Sequence, residues 1–243
     1  MPDVQPQTAH RATPTGRRSR EDVIDAALTL LQERGLPDLT MRRLAQALGV
    51  QPSALYWHVA DKQTLLAAVS GRVLAPALLP TTGTATPSHT PAPTGAGTSS
   101  STVADTDEVG RAPTWEASVR AAAADLRGAL LDVRDGAELV SSSLALGLVD
   151  LPLAERIAPA LDAAGAGPRT VATVSGTLGH FILGHTFHEQ QRLAASEAGV
   201  LADPGTPAGT APPAEAPQET FADGVDLVVA GAAVLLAMDR ERG

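Results

Sequence analysis

The chain has 243 residues, 27 acidic against 18 basic for a net charge of −9, no cysteine, and six aromatic side chains. The missing cysteines exclude a disulfide framework and any thiolate metal site. The 44% apolar content rests on Ala, Leu and Val rather than aromatics, which suits one or two domains of helices packed through small side chains. The negative charge is unevenly placed. Residues 1–75 hold nine basic against seven acidic groups, a net of +2, and the remainder holds nine against twenty, a net of −11. The overall acidity therefore belongs to the C-terminal part and does not argue against an anionic partner for the N-terminal part.

Residues 1–18 are rich in Pro, Thr and Gln and read as a disordered arm. They bear no apolar stretch resembling a signal peptide. Arg17, Arg18 and Arg20 make either an ordinary solvated tail or an arm that touches phosphates. Ser19 and Asp22 resemble a capping box, and Val23, Ala26, Ala27, Leu30 and Leu31 recur at helical spacing up to Gly35. A first helix over about Arg20–Arg34 follows. Thr40 is a good N-cap for a second helix with Met41, Leu44, Ala45 and Leu48 inside, and Gly49 marks a sharp turn. A third helix opens at Gln51 and Pro52, with Leu55 and Val59 inward. Ser53, Ala54, Tyr56, Trp57 and His58 are then left for its outer face. Asp61 caps a fourth helix from Lys62, which Pro76 and Pro80 bring to an end.

Two helices around a Gly-containing turn, the second short and polar outside, fit a helix-turn-helix. The order L-T-M-R-R-L-A-Q-A-L-G-V and then A-L-Y-W-H-V-A-D-K-Q-T-L-L closely resembles the DNA-binding region of the tetracycline repressor family, over about Ser19–Ala75. The resemblance implies contacts position by position. Arg42 matches a base-reading arginine whose two-pronged guanidinium suits guanine. Thr40, Tyr56 and Lys62 match phosphate-binding positions, and Trp57 and His58 match the end of the recognition helix. Packing of Trp57 against the first or fourth helix is the alternative for that side chain. Where the tetracycline repressor has Q-P-T before L-Y-W-H, this chain has Pro52, Ser53 and Ala54. With Gln51, these base-choosing positions predict a different operator.

Residues 80–112 have no hydrophobic period and are rich in Pro, Gly, Ser and Thr, so they read as a flexible linker. A second helical domain over 113–243 begins near Trp115. Helices are expected to about Leu131, from near Gly136, over Leu151–Leu161, over Pro168–Ala198 and over Thr220–Arg240. A loose segment is expected at 201–217, and no strand anywhere, so the fold class is all-α. The apolar run Val225–Met238 is too short to span a bilayer, and the composition predicts a soluble cytoplasmic protein.

The pattern W-x(4)-R, L-L-x-V-R-D-G-A and G-H-F-I-L-G-x(4)-E-Q, over about Trp115–Arg192, resembles the effector domain of the same family. It implies a homodimer held by a four-helix bundle of the long and last helices, with Ala172, Ser175, Gly176, Gly179 and Gly184 allowing close approach. It implies a repressor released from a pseudo-palindromic operator by a small molecule, and no enzyme, cofactor or membrane. The drug site carries over badly. Val140 stands for the magnesium-binding histidine, Ala122 and Leu126 for a pocket asparagine and phenylalanine, and His188 for a glutamate. Hard-cation ligands are thus largely missing. A more apolar effector, such as an antibiotic or secondary metabolite, is expected on a wall of Leu126, Val140, Leu144, Ser175, Gly179 and His188. A second reading takes His185, His188 and Glu189, which share one helical face, as the ligands of a metal-responsive regulator or a metal-dependent helical enzyme. The alternative for these groups is a core His180 with the others at an interface or pocket edge.

Overall fold

A computed structural model describes residues 19–79, 113–199 and 217–242. The arm at 1–18, the linker at 80–112 and residues 201–216 of the segment 201–217 expected to be loose lie outside the described residues, while Pro217 opens the last helix, where a proline is tolerated. Among the described residues the protein is helical throughout, with no strand.

The N-terminal unit is built from local signals. In α1 (Arg20–Arg34) the Ser19 backbone N–H donates to Asp22 Oδ2 at 2.7 Å, and the Asp22 N–H donates to Ser19 Oγ at 3.1 Å. This reciprocal cap satisfies two donors that a helix start leaves unpaired. Gly35 closes the helix at φ +80, and a 3-10 turn over Leu36–Asp38 leads on. Thr40 caps α2 (Met41–Leu48) through the Arg43 N–H. Gly49 then takes the left-handed conformation, and the Val50 N–H bonds back to the Ala45 carbonyl, a Schellman ending.

α3 is a single turn, Pro52–Leu55, shorter than the outer face read from the sequence. Tyr56, Trp57 and His58 follow it in a turn, with the His58 and Val59 N–H groups both on the Leu55 carbonyl. Bulky rings favour helix weakly, and Asp61 must be extended to cap the next helix.

α4 (Lys62–Leu78) ends between Pro76 and Pro80, with Pro76 inside its last turn. Proline removes one donor, but so near the C-terminus that loss costs little further helix. Asp61 Oδ1 accepts the Thr64 N–H at 2.7 Å, and this bond, seconded by the Thr64 hydroxyl, holds the Asp61 carboxyl below its ordinary 3.8. A lowered folded value means the cap stabilises at neutral pH and is lost as pH falls through that value. Asp61→Ala is therefore expected to lower the melting temperature at pH 7, with the gap to wild type closing below pH 3.8. A pH-independent gap in thermal scans would contradict the cap.

The second unit comprises α5 (Trp115–Leu131), α6 (Gly136–Ala145), α7 (Leu153–Ala163), α8 (Pro168–Glu197) and α9 (Pro217–Arg242). Thr114 caps α5. α8 starts at Gly167, which has no side chain to offer, so Asp239 near the end of α9 accepts the Gly167 N–H at 2.9 Å. The Thr170 hydroxyl, together with that N–H, holds the Asp239 carboxyl below its usual range. Arg240 donates to the Ala164 carbonyl beside it, so the end of α9 staples the α7–α8 corner.

One hydrophobic core runs through both units, since α4, whose Val69, Val73, Leu74 and Ala77 are buried in it, packs on α5 and α6. α9 is long and apolar enough to cross a membrane by length and composition, contrary to the shorter run read from the sequence. Its buried stripe of Phe221, Val225, Val229, Ala232 and Leu236 belongs to the core, while Leu227, Val234 and Met238 are exposed.

Candidate nucleic-acid interface and effector domain

α1 packs on α2 and α4, and α2 on α3, around Val23, Ala27, Leu44, Leu55 and Leu65, all buried. What this leaves outside is the predicted contact set. Arg42 is exposed at the start of α2, beside Arg43, whose guanidinium pairs with Asp38. Gln51, Pro52 and Ser53 are exposed, whereas Ala54 and His58 are half-buried. Thr40 is half-buried and spends its hydroxyl as acceptor on the α2 cap, with its O–H left to donate outward. Tyr56 is 53% and Trp57 90% exposed, so Trp57 does not pack against α1 or α4. Lys62 is exposed at the start of α4. Exposed aromatic faces together with guanidinium, ammonium and amide donors can stack on sugars and hydrogen-bond to phosphates and base edges.

The expected effector wall is not one surface. Leu126 and Val140 are fully buried, and Leu144 is half-buried. Ser175 is buried and donates to the Val171 carbonyl at 2.7 Å. Gly179 is packed so closely that an added Cβ would lie 2.6 Å from Leu151 Cδ1. His188 lies at the surface, its ring edge-on to Phe187.

The histidine–glutamate face also resolves differently. Both oxygens of Glu189 are held by Arg127, at 2.7 and 3.1 Å, and the Arg127 guanidinium stacks 5.0 Å from the Phe221 ring centre. His185 packs against Phe181 and Phe221. The three groups do not converge, and among the described residues no cluster of three or more metal-ligating side chains forms. His180, which the alternative placed in the core, is exposed and bonds the Gly176 carbonyl.

Two cavities open elsewhere. One of about 330 Å³ lies between α5 and α9, with Phe221 and Val225 as apolar lining and Arg120, Arg127, Gln218 and Asp226 as polar lining. One of about 310 Å³ lies between Gln32, the α5–α6 turn and the end of α8. Sequence reasoning also missed the polar links between the two units. Ser70 of α4 and Ser143 of α6 share a 2.9 Å hydrogen bond in a buried interface. Arg156 of α7 donates to the Ala77 carbonyl at the end of α4. The one available signal was a serine inside each apolar stripe.

Residues 23–69 match the profile described as "Bacterial regulatory proteins, tetR family", and residues 110–233, just over half the chain, match "Tetracyclin repressor-like, C-terminal domain". The chain belongs to the tetracycline repressor family. Among relatives, the class D tetracycline repressor of Escherichia coli is 36% identical over 126 residues, 51% of this chain. That match spans 44% of the class D repressor's own length. Among solved structures, BioQ of Mycobacterium smegmatis superposes with a TM-score of 0.66 at 32% identity, covering 90% of this chain and 99% of BioQ. A BioQ structure with its double-stranded DNA operator gives 0.61 at 31%, covering 89% and 99%. A tetracycline repressor variant from Acinetobacter baumannii AYE in complex with minocycline gives 0.61 at 25%, covering 90% and 98%. The family's two-unit layout thus extends over nearly all of this chain.

Proposed function

We propose that the protein is a cytoplasmic DNA-binding transcriptional regulator, a repressor that leaves a pseudo-palindromic operator when a small, largely apolar ligand binds. The observation that carries this reading is the exposed Tyr56–Trp57 pair beside Arg42 and Lys62 on a helix-turn-helix. Two adjacent exposed aromatic rings accompanied by cationic side chains are the kind of surface that marks an interaction site. The operator-bound BioQ structure supports the same reading.

The regulator acts as a homodimer. The exposed stripe of Leu227, Val234 and Met238 on α9 supports this, as do Gly176 and Gly184 on α8, where an added Cβ would meet nothing within 4 Å. A four-helix bundle of α8 and α9 from two copies covers both. Two recognition elements then sit about one DNA turn, roughly 34–36 Å, apart. A ligand shifts the equilibrium between two such spacings by no more than its differential affinity for the two states. Because Leu126 and Val140 are fully buried, a ligand that reaches them must displace side chains to enter. The minocycline-bound relative supports a small-molecule effector in this domain, and the missing hard-cation ligands favour an apolar one.

Gel mobility shift with DNA flanking the protein's own gene tests the function. Specific retardation that weakens steeply with salt is expected, and no retardation of any upstream fragment would end the proposal. Arg42→Ala is expected to cost about 1–3 kcal/mol of operator affinity and to relax one base preference. A selection experiment returning an unaltered preference would show that Arg42 does not read a base.

A further inference from the structure

Six hydrogen bonds from α8, α1 and the 3-10 turn after α1 converge on the segment Leu130–Ala137, which joins α5 to α6. From α8, the Gln190 amide donates to the Leu130 carbonyl at 2.9 Å and the Val133 carbonyl at 2.8 Å, and it accepts the Ala137 N–H at 3.1 Å. The Leu130 carbonyl and the Ala137 N–H are groups that the end of α5 and the start of α6 leave without helical partners, while the Val133 carbonyl, in the turn, also accepts the Gly136 N–H at 2.9 Å. From the helix-turn-helix unit, Gln32 of α1 donates to the Asp132 carbonyl at 2.7 Å and accepts the Arg134 N–H at 3.0 Å. The Leu36 N–H, just past α1, donates to Asp135 Oδ2 at 2.8 Å. One short turn is thus gripped by an amide side chain on each side.

Asp135 sits at φ +55 and is the lone non-glycine residue with positive φ among the described residues. For the turn alone glycine would serve with less strain. What aspartate adds is the carboxylate that reaches Leu36. The contact is close enough that a Cβ on Gly35 would lie 2.7 Å from Asp135 Oδ2. On the other side a Cβ on Gly136 would lie 2.5 Å from the Leu130 carbonyl oxygen. Both glycines therefore let backbone and carboxylate approach.

We infer that Gln32, Asp135 and Gln190 are positioning residues that make this turn a rigid second joint, through which α8 sets the orientation of the helix-turn-helix. The inference rests on the regulator reading above. α4 already links the two units through the Ser70–Ser143 bond and the Arg156–Ala77 bond. A single helical link leaves the DNA-binding unit able to roll about that helix. An attachment at the far end of α1 removes the roll, and because Gln190 is part of α8, a shift of the long helix is carried to the reading face.

The test uses the full chain and three variants, Asp135→Gly, Asp135→Asn and Gln190→Leu, with folding checked by circular dichroism. Hydrogen exchange of the Leu36 amide is read without DNA, and affinity is read on the upstream fragment that wild type shifts. Asp135→Gly is expected to speed Leu36 exchange by about tenfold and to weaken DNA binding by about fivefold or more. Asp135→Asn keeps an acceptor oxygen and should stay within about twofold of wild type in both. A merely conformational role predicts the reverse order, because glycine is at ease at positive φ. Gln190→Leu, which removes hydrogen bonds to Leu130, Val133 and Ala137 only, should speed Leu36 exchange and weaken binding in the same direction. Wild-type behaviour of both Asp135→Gly and Gln190→Leu would overturn the joint. If wild type shifts no DNA, the regulator reading fails, while Leu36 exchange still decides whether the joint exists.

Discussion

Arg156→Met is expected to destabilise the protein by about 3 kcal/mol. Arg156 and Asp125 form a 2.6 Å ion pair with side chains only 14% and 15% exposed. Removing the cation takes the opposite charge away from the Asp125 carboxylate between α5 and α7, where water cannot fully solvate it. Arg156 also donates to the Ala77 carbonyl, so the last turn of α4 loses its partner at the same time. For a chain of this size the melting temperature should fall by roughly 6–12 °C. The double variant Asp125→Leu with Arg156→Met removes both charges and should recover all but about 1 kcal/mol, the residue of the unpaired Ala77 carbonyl. Denaturant unfolding of the two single variants and the double variant separates the cases. A loss below about 0.5 kcal/mol in Arg156→Met would place the pair with ordinary surface bridges.

The second large effect falls on function alone. Tyr56→Ala combined with Trp57→Ala should cost about 2–6 kcal/mol of operator affinity, at about 1–3 kcal/mol per contact. At protein concentrations where wild type saturates the fragment, specific retardation should vanish. Stability should hardly change, since exposed substitutions stay within about 0.5 kcal/mol and Trp57 is 90% exposed. Fluorescence anisotropy beside a thermal scan makes the comparison. A double variant that binds as wild type does would remove the aromatic pair from the interface. A large fall in melting temperature would show that the rings pack in solution.

Some of the site was legible in residues close in sequence. Ser19 with Asp22, Thr40, Gly49 and Asp61 act over about one helical turn, so the bounds of α1 and the starts of α2 and α4 follow from the chain alone. The exposed contact positions follow from the same periodicity once the buried stripe is assigned. The end of α3 did not follow, because Tyr56–His58 can continue a helix or leave it, and the extended Asp61 cap decides.

The effector domain was less legible for a related reason. His185, His188 and Glu189 do lie near one another along α8. Which groups face them is set by α5 and α9, which bring Arg127 to Glu189 and Phe221 to His185. The cap that Asp239 supplies to Gly167, the Ser70–Ser143 bond and the two glutamine grips on the α5–α6 turn join residues far apart in the chain. Their partners are chosen by where helices cross. The sequence by itself determined the helical class, the helix-turn-helix, the family and which residues of that unit stay out of its core, because caps and apolar stripes act through neighbours a turn away. Only the tertiary structure decided which polar groups meet between helices, and therefore how the second domain grips the first. That outcome depends on packing among all the buried side chains at once, and no local pattern encodes it.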